Sequence, residues 1–182
     1  MITIVSNYRT GSSTFHQSLG GDGREYCHIS RGGYKSPSPE FDGQNGVYKI
    51  MPDQFDYENG YEKFKVDYLQ KSDKIYYTLR ANIRDQIESH LYALQTSDWH
   101  SWQVVGPPIP NKQNFNARTS SYLLLRCLCW QVKIYREFGG TLVWLEDRNQ
   151  DQKYSRRVDY TLPDIDVDTI ILDYLDVRGM FL

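Results

Sequence analysis

The 182-residue chain lacks the G-x-x-x-x-G-K-[ST] loop of the common nucleotide-binding proteins, and it is poor in most other diagnostic features. Its three cysteines, Cys27, Cys127 and Cys129, are too few and of the wrong parity for a disulfide framework. They and the four histidines, His16, His28, His90 and His100, show no zinc-binding spacing, so no metal is expected. No stretch approaches the roughly 20 apolar residues needed to span a bilayer, and the opening residues carry neither a basic region nor a long apolar run. A soluble, cytoplasmic protein without a membrane partner is the expectation. A net charge of −2 lacks the basic footprint of a nucleic-acid coat, so no nucleic-acid partner is expected either. Internal repeats are absent.

What remains is ordinary globular composition, 40% hydrophobic and 24% charged, at a length suited to one domain over residues 1–182. The most informative stretch is Ile2 to Phe15, ITIVSNYRTGSSTF. There a β-branched strand delivers Arg9, Thr10, Gly11, Ser12, Ser13 and Thr14 to the start of a helix. Backbone N–H groups at such a start have no internal partner and point at whatever anion docks there. Gly11 permits close approach of the backbone, the three hydroxyls add donors, and Arg9 adds a planar fork suited to a tetrahedral oxyanion. The competing reading is an ordinary strand, a polar turn and a Ser-capped helix.

A second element weighs against that plainer reading. In Lys74 to Leu94 an apolar strand containing Ile75, Tyr76, Tyr77 and Leu79 ends in Arg80, and the following helix carries Ser89. Arg80 and Ser89 form a candidate second phosphate site in the crevice where open α/β sheets bind ligands. Two anion sites imply a doubly charged ligand.

The YRTGSSTF segment resembles the phosphosulfate-binding loop of the sulfotransferase family, in its R-[ST]-G-[ST]-[ST] form. Arg80 to Ser89, with Gln86 between them, is similar to that family's 3'-phosphate motif, and the two motifs occur in the family's order. The resemblance is to a short member of bacterial or phage type. It implies the donor 3'-phosphoadenosine 5'-phosphosulfate, with Arg9 to Thr14 around the 5'-phosphosulfate and Arg80 with Ser89 on the 3'-phosphate. It also implies transfer of a sulfuryl group to a hydroxyl or amine on a small-molecule or glycan acceptor.

Between the motifs, Val47-Tyr48-Lys49-Ile50-Met51-Pro52 resembles the family strand that ends in Lys-Thr-His and then Pro. Lys49 matches, whereas Met51 stands near the place of the histidine that serves many members as base. Glu40, in Ser38-Pro39-Glu40-Phe41, is the first candidate for that role; Asp53 is the second and His100 a third. The transition state of such a transfer is loose, so positioning and charge stabilisation do most of the work, and Lys49 with Arg9 supplies the positive charge. A non-catalytic nucleotide- or anion-binding module is the alternative. A small-molecule kinase is weaker, because no Lys follows Gly11, although Leu145-Glu146-Asp147 can be read as an acidic metal-binding strand end.

The remaining pattern gives a strand at 2–7, a helix near 13–19, a Gly/Ser/Pro-rich span at 20–46 with one short strand at 25–29, a strand at 47–51 and a helix at 58–70. After the second motif come an irregular segment at 95–116 containing Trp99 and Trp102, and a helix at 117–138 closed by Gly139-Gly140. The apolar residues of this helix are spread too widely for one face, so it is expected to be largely buried. A strand at 141–145 follows. Arg156-Arg157 and Arg178-Gly179 carry basic groups further on. Strands alternating with helices predict an α/β three-layer sandwich, a central parallel sheet with helices on both faces, of the P-loop NTPase-like kind.

Overall fold

In the computed structural model, the residues described are 1–30, 33–37, 42–43, 45–52, 60–96 and 117–148. They form strands β1 (Ile2–Val5), β2 (Cys27–Ser30), β3 (Gly33–Pro37), β4 (Val47–Ile50), β5 (Lys74–Leu79) and β6 (Thr141–Trp144). The helices are α1 (Ser12–Ser18), α2 (Gly60–Asp67), α3 (Ile83–Thr96), α4 (Ala117–Phe138) and α5 (Leu145–Arg148), with a 3-10 turn at Leu69–Lys71. The chain divides into two compact units, residues 1–81 with 126–148, and residues 82–125 with 149–182.

The first unit is built on a four-stranded sheet of order β4-β1-β5-β6, parallel throughout, as expected for strands joined through helices. Register assigns the faces. Thr3 lies beside Tyr48 and Ile75, and Val5 beside Ile50 and Tyr77. Because side chains alternate along a strand, these residues share one face, and the buried cluster there adds Tyr61, Phe64 and Tyr68 from α2 and the turn after it, and Ile134 from α4. Ile4, Lys49, Tyr76 and Thr78 line the opposite face. Helix α1 covers it, with the Phe15 ring edge-on to Tyr76 at 5.4 Å and His16 Nε2 2.6 Å from the Val47 carbonyl. Helices on opposite faces follow from the connections: β1 to β4 runs one way across the sheet and β4 to β5 the other, so crossovers of one hand must use both sides.

Several sequence expectations are corrected. The span after α1 holds two strands, not one, because 33–37 pairs antiparallel with 27–30. Gly33 and Pro37 sit at the ends of that strand, where turn-forming residues cost the ladder little. Helix α4 is not buried all round. In its second half Gln131 and Ile134 are buried, while Val132 and Tyr135 remain at the surface, because this half lies on a single sheet face. The helix does end where expected, with the Gly139 N–H donating to the Tyr135 carbonyl at 2.8 Å and Gly139 at φ 64°.

In the second unit, Asn82 caps α3 by accepting from the Asp85 N–H at 3.1 Å. Ile87, Leu91 and Ala93 of α3 and Leu124 and Leu125 of α4 are buried, together with Gln86, His90 and Ser121. No helix among the described residues is long and apolar enough to cross a membrane.

Candidate functional site

In a parallel sheet all carboxyl ends share one edge. Here the connections from β1 and β5 diverge, β1 leading outward to β4 and β5 outward to β6, so the gap between their carboxyl ends is the point where the strand order reverses. Open α/β sheets bind ligands in this crevice. The segment Asn7 to Gly11 follows β1 and Arg80 follows β5. The Asn7–Gly11 segment and Arg80 are therefore neighbours on one sheet edge.

The loop is locked by its own polar groups. Thr10 is buried, its hydroxyl donating to the Asn7 carbonyl at 2.8 Å and accepting from the Thr78 hydroxyl of β5 at 2.8 Å. Arg9 and Gly11 both take left-handed backbone, at φ 59° and 65°. For Arg9 this conformation is uncommon and marks a strained turn. Gly11 caps α1 with no side-chain hydrogen bond. A Cβ there would lie 2.7 Å from Leu145 Cδ1 and 3.2 Å from Arg148 Nη2, so the position accepts glycine for both conformation and space. Ser12, Ser13 and Thr14 form the first turn of α1, and Thr14 is exposed.

Lys49 supplies the charge. Its side chain enters from β4, is 5% exposed, and donates to Ser13 Oγ at 2.9 Å. Among the described residues no carboxylate forms an ion pair with it. Burial lowers its pKa, partly offset by the fields of Glu25 and Asp22. An ammonium group held out of water, with the Ser13 hydroxyl as its partner among the described residues, costs stability, and an anion would relieve that cost. Beneath it, His16 donates from Nε2 to Val47 O and accepts the Gly23 N–H at Nδ1, 2.9 Å away. That pairing fixes a neutral imidazole, and burial lowers its pKa.

Arg80 stands 3.9 Å from Glu146 Oε1, and the other oxygen of that carboxylate accepts the Ala81 N–H at 3.1 Å. The structure thus brings Lys49, Ser13, the loop and Arg80 to the same sheet edge. Ser89 lies on α3, in the second unit. Glu40, Asp53 and His100 lie outside the described residues, as do Trp99, Trp102, Arg156, Arg157 and Arg178. Met51 is buried. Among the described residues no group of three or more His, Cys, Asp or Glu is arranged to hold a metal ion.

Sequence reasoning gives Arg148 of α5 no role at this edge, and it brings in the neighbouring Glu146 only as part of the acidic strand end of the weaker kinase reading. Arg148 donates to the Thr10 carbonyl at 2.6 Å and to the Gly11 carbonyl at 3.2 Å. The available signal was positional: a charged L-E-D-R run directly follows a strand, at the edge where parallel sheets place their ligands. Comparison with protein-family models, curated proteins and solved structures gives no match.

Proposed function

We propose that this chain is a sulfotransferase of P-loop NTPase-like fold that uses 3'-phosphoadenosine 5'-phosphosulfate and sulfates a hydroxyl or amine of a small-molecule or glycan acceptor. The observation that carries the reading is Lys49: a buried ammonium, without a carboxylate partner among the described residues, beside the first turn of α1. The adjacency of β1 and β5 supports it, since the ligand has acidic groups at both ends of one adenosine.

In the proposed reaction the acceptor oxygen or nitrogen attacks sulfur as the bond from sulfur to the phosphate oxygen breaks. The electron pair stays on that bridging oxygen, and the acceptor proton passes to a base. Lys49 and the N–H groups of Gly11 and Ser12 face the growing negative charge, where one well-aimed donor contributes about 3 to 4 kcal/mol to the barrier. Arg80 holds the 3'-phosphate and so fixes the donor in line. Glu40 is the proposed base, and Glu40→Gln should lower turnover while leaving donor binding unchanged.

A second reading, a non-catalytic nucleotide- or anion-binding module, is favoured by the buried Met51 where the resemblance calls for a histidine base. Thermal shifts separate the two classes of ligand, because a molecule that binds the native state alone raises its melting temperature. Stabilisation by adenosine 3',5'-bisphosphate above ADP and ATP, lost in Arg80→Ala, supports the donor assignment. Equal stabilisation by all three refutes it. Sulfuryl release from labelled donor by the wild type, reduced in Lys49→Ala, then distinguishes an enzyme from a binding module.

A further inference from the structure

We infer that Arg148 is a positioning residue of the anion loop, holding two peptide groups so that their N–H donors face the ligand; this rests on reading that loop as the phosphosulfate site. The guanidinium binds the carbonyls of Thr10 and Gly11, at 2.6 and 3.2 Å, from a position 137 and 138 residues along the chain. A trans peptide is planar, so its C=O and N–H point in opposite directions. Clamping the Thr10 carbonyl therefore turns the Gly11 N–H away from Arg148, and clamping the Gly11 carbonyl does the same for the Ser12 N–H. The Gly11 carbonyl also accepts the Phe15 N–H at 3.1 Å, so its orientation is set twice, whereas Arg148 provides the Thr10 carbonyl with its charged partner.

Arg148 is itself held in place. Its Nε lies 3.4 Å from the Trp144 carbonyl, and its guanidinium sits 5.2 Å from the centre of the Phe15 ring, which packs in turn on Tyr76. The anchor thus stands on β6 and α1 and grips the turn after β1. Without it, the peptide between Thr10 and Gly11 is free to rotate, because glycine adopts both signs of φ readily. A rotated peptide would turn a carbonyl toward the anion. The planar fork also matters, since it reaches two carbonyls at once, which a lysine ammonium does not reproduce in the same geometry.

The test uses the full chain and two probes, adenosine 3',5'-bisphosphate and adenosine 3'-monophosphate, titrated calorimetrically into wild type, Arg148→Ala and Arg148→Lys. Arg148→Ala is expected to weaken the bisphosphate at least tenfold and the 3'-monophosphate less than twofold, with Arg148→Lys intermediate. Equal weakening of both probes, or of neither, overturns the inference. The Gly11 and Ser12 amide resonances of the ligand-free proteins provide the second measurement, and they should shift in Arg148→Ala. If wild type binds neither probe, the donor-site reading fails and the ligand part of this inference falls with it. Unmoved resonances would refute the loop part.

Discussion

Replacing Gly11 by alanine tests the loop geometry without assuming any ligand. The new methyl group must enter at φ 65°, where an L-residue pays roughly 1 to 2 kcal/mol. It must also displace Leu145 Cδ1, which would lie 2.7 Å away, and Arg148 Nη2, at 3.2 Å. The leucine tip can rotate at little cost. The guanidinium cannot retreat without lengthening its 2.6 Å bond to the Thr10 carbonyl, and a hydrogen bond with one charged partner contributes about 1.5 to 3 kcal/mol. The sum is on the order of 3 kcal/mol, which for a chain of this size lowers Tm by about 6 to 12 °C. Calorimetry or circular dichroism measures that directly. A double-mutant cycle adds the sharper criterion: if Gly11→Ala has already dislodged Arg148, adding Arg148→Ala costs much less than it does in wild type. An unchanged Tm, or strict additivity of the two substitutions, would refute this account of the loop.

Three further outcomes are expected. Lys49→Met removes a desolvated charge whose pKa burial depresses, so stability should equal or exceed wild type by about 1 kcal/mol in denaturant titration while binding of adenosine 3',5'-bisphosphate falls more than tenfold; loss of stability would count against the role given to this lysine. His16 has its folded pKa below the ordinary value of 6.5, so the unfolded chain takes up the proton first. Its contribution is complete above pH 6.5 and declines as pH falls below it, by at most about 1.4 kcal/mol per pH unit for one proton, and His16→Gln should flatten that part of the stability profile. Glu146→Gln removes a carboxylate that competes for Arg80 and the Ala81 N–H, so affinity for adenosine 3',5'-bisphosphate should rise severalfold, most clearly at low salt; weaker binding would show that the carboxylate organises Arg80 for the ligand.

The candidate site is legible in the sequence to the extent that its chemistry is local. Arg9 to Thr14 and Lys49 each sit at a strand end flagged by a β-branched or aromatic run, and the strands themselves formed within one or two residues of expectation at 2–5, 47–50 and 74–79. The β2–β3 hairpin was misjudged because glycine and proline read as breakers in a linear scan, although at strand ends they are compatible with pairing. Helix α4 was misjudged because its apolar residues, counted along the chain, do not reveal how wide a surface awaits them. Arg148 lies far from Thr10 in sequence, and no spacing rule connects a residue after β6 to a turn after β1.

Local composition alone determined where strands would meet glycine and hydroxyl-rich turns, because φ preference and hydrophobic period act over a few residues. The tertiary structure decided the order β4-β1-β5-β6, which makes the loop and Arg80 neighbours, and decided that α5 would supply the clamp on the loop. Such pairings depend on which strands share hydrogen bonds and which faces the crossovers cover. Those are properties of the packed sheet, and no single segment carries them.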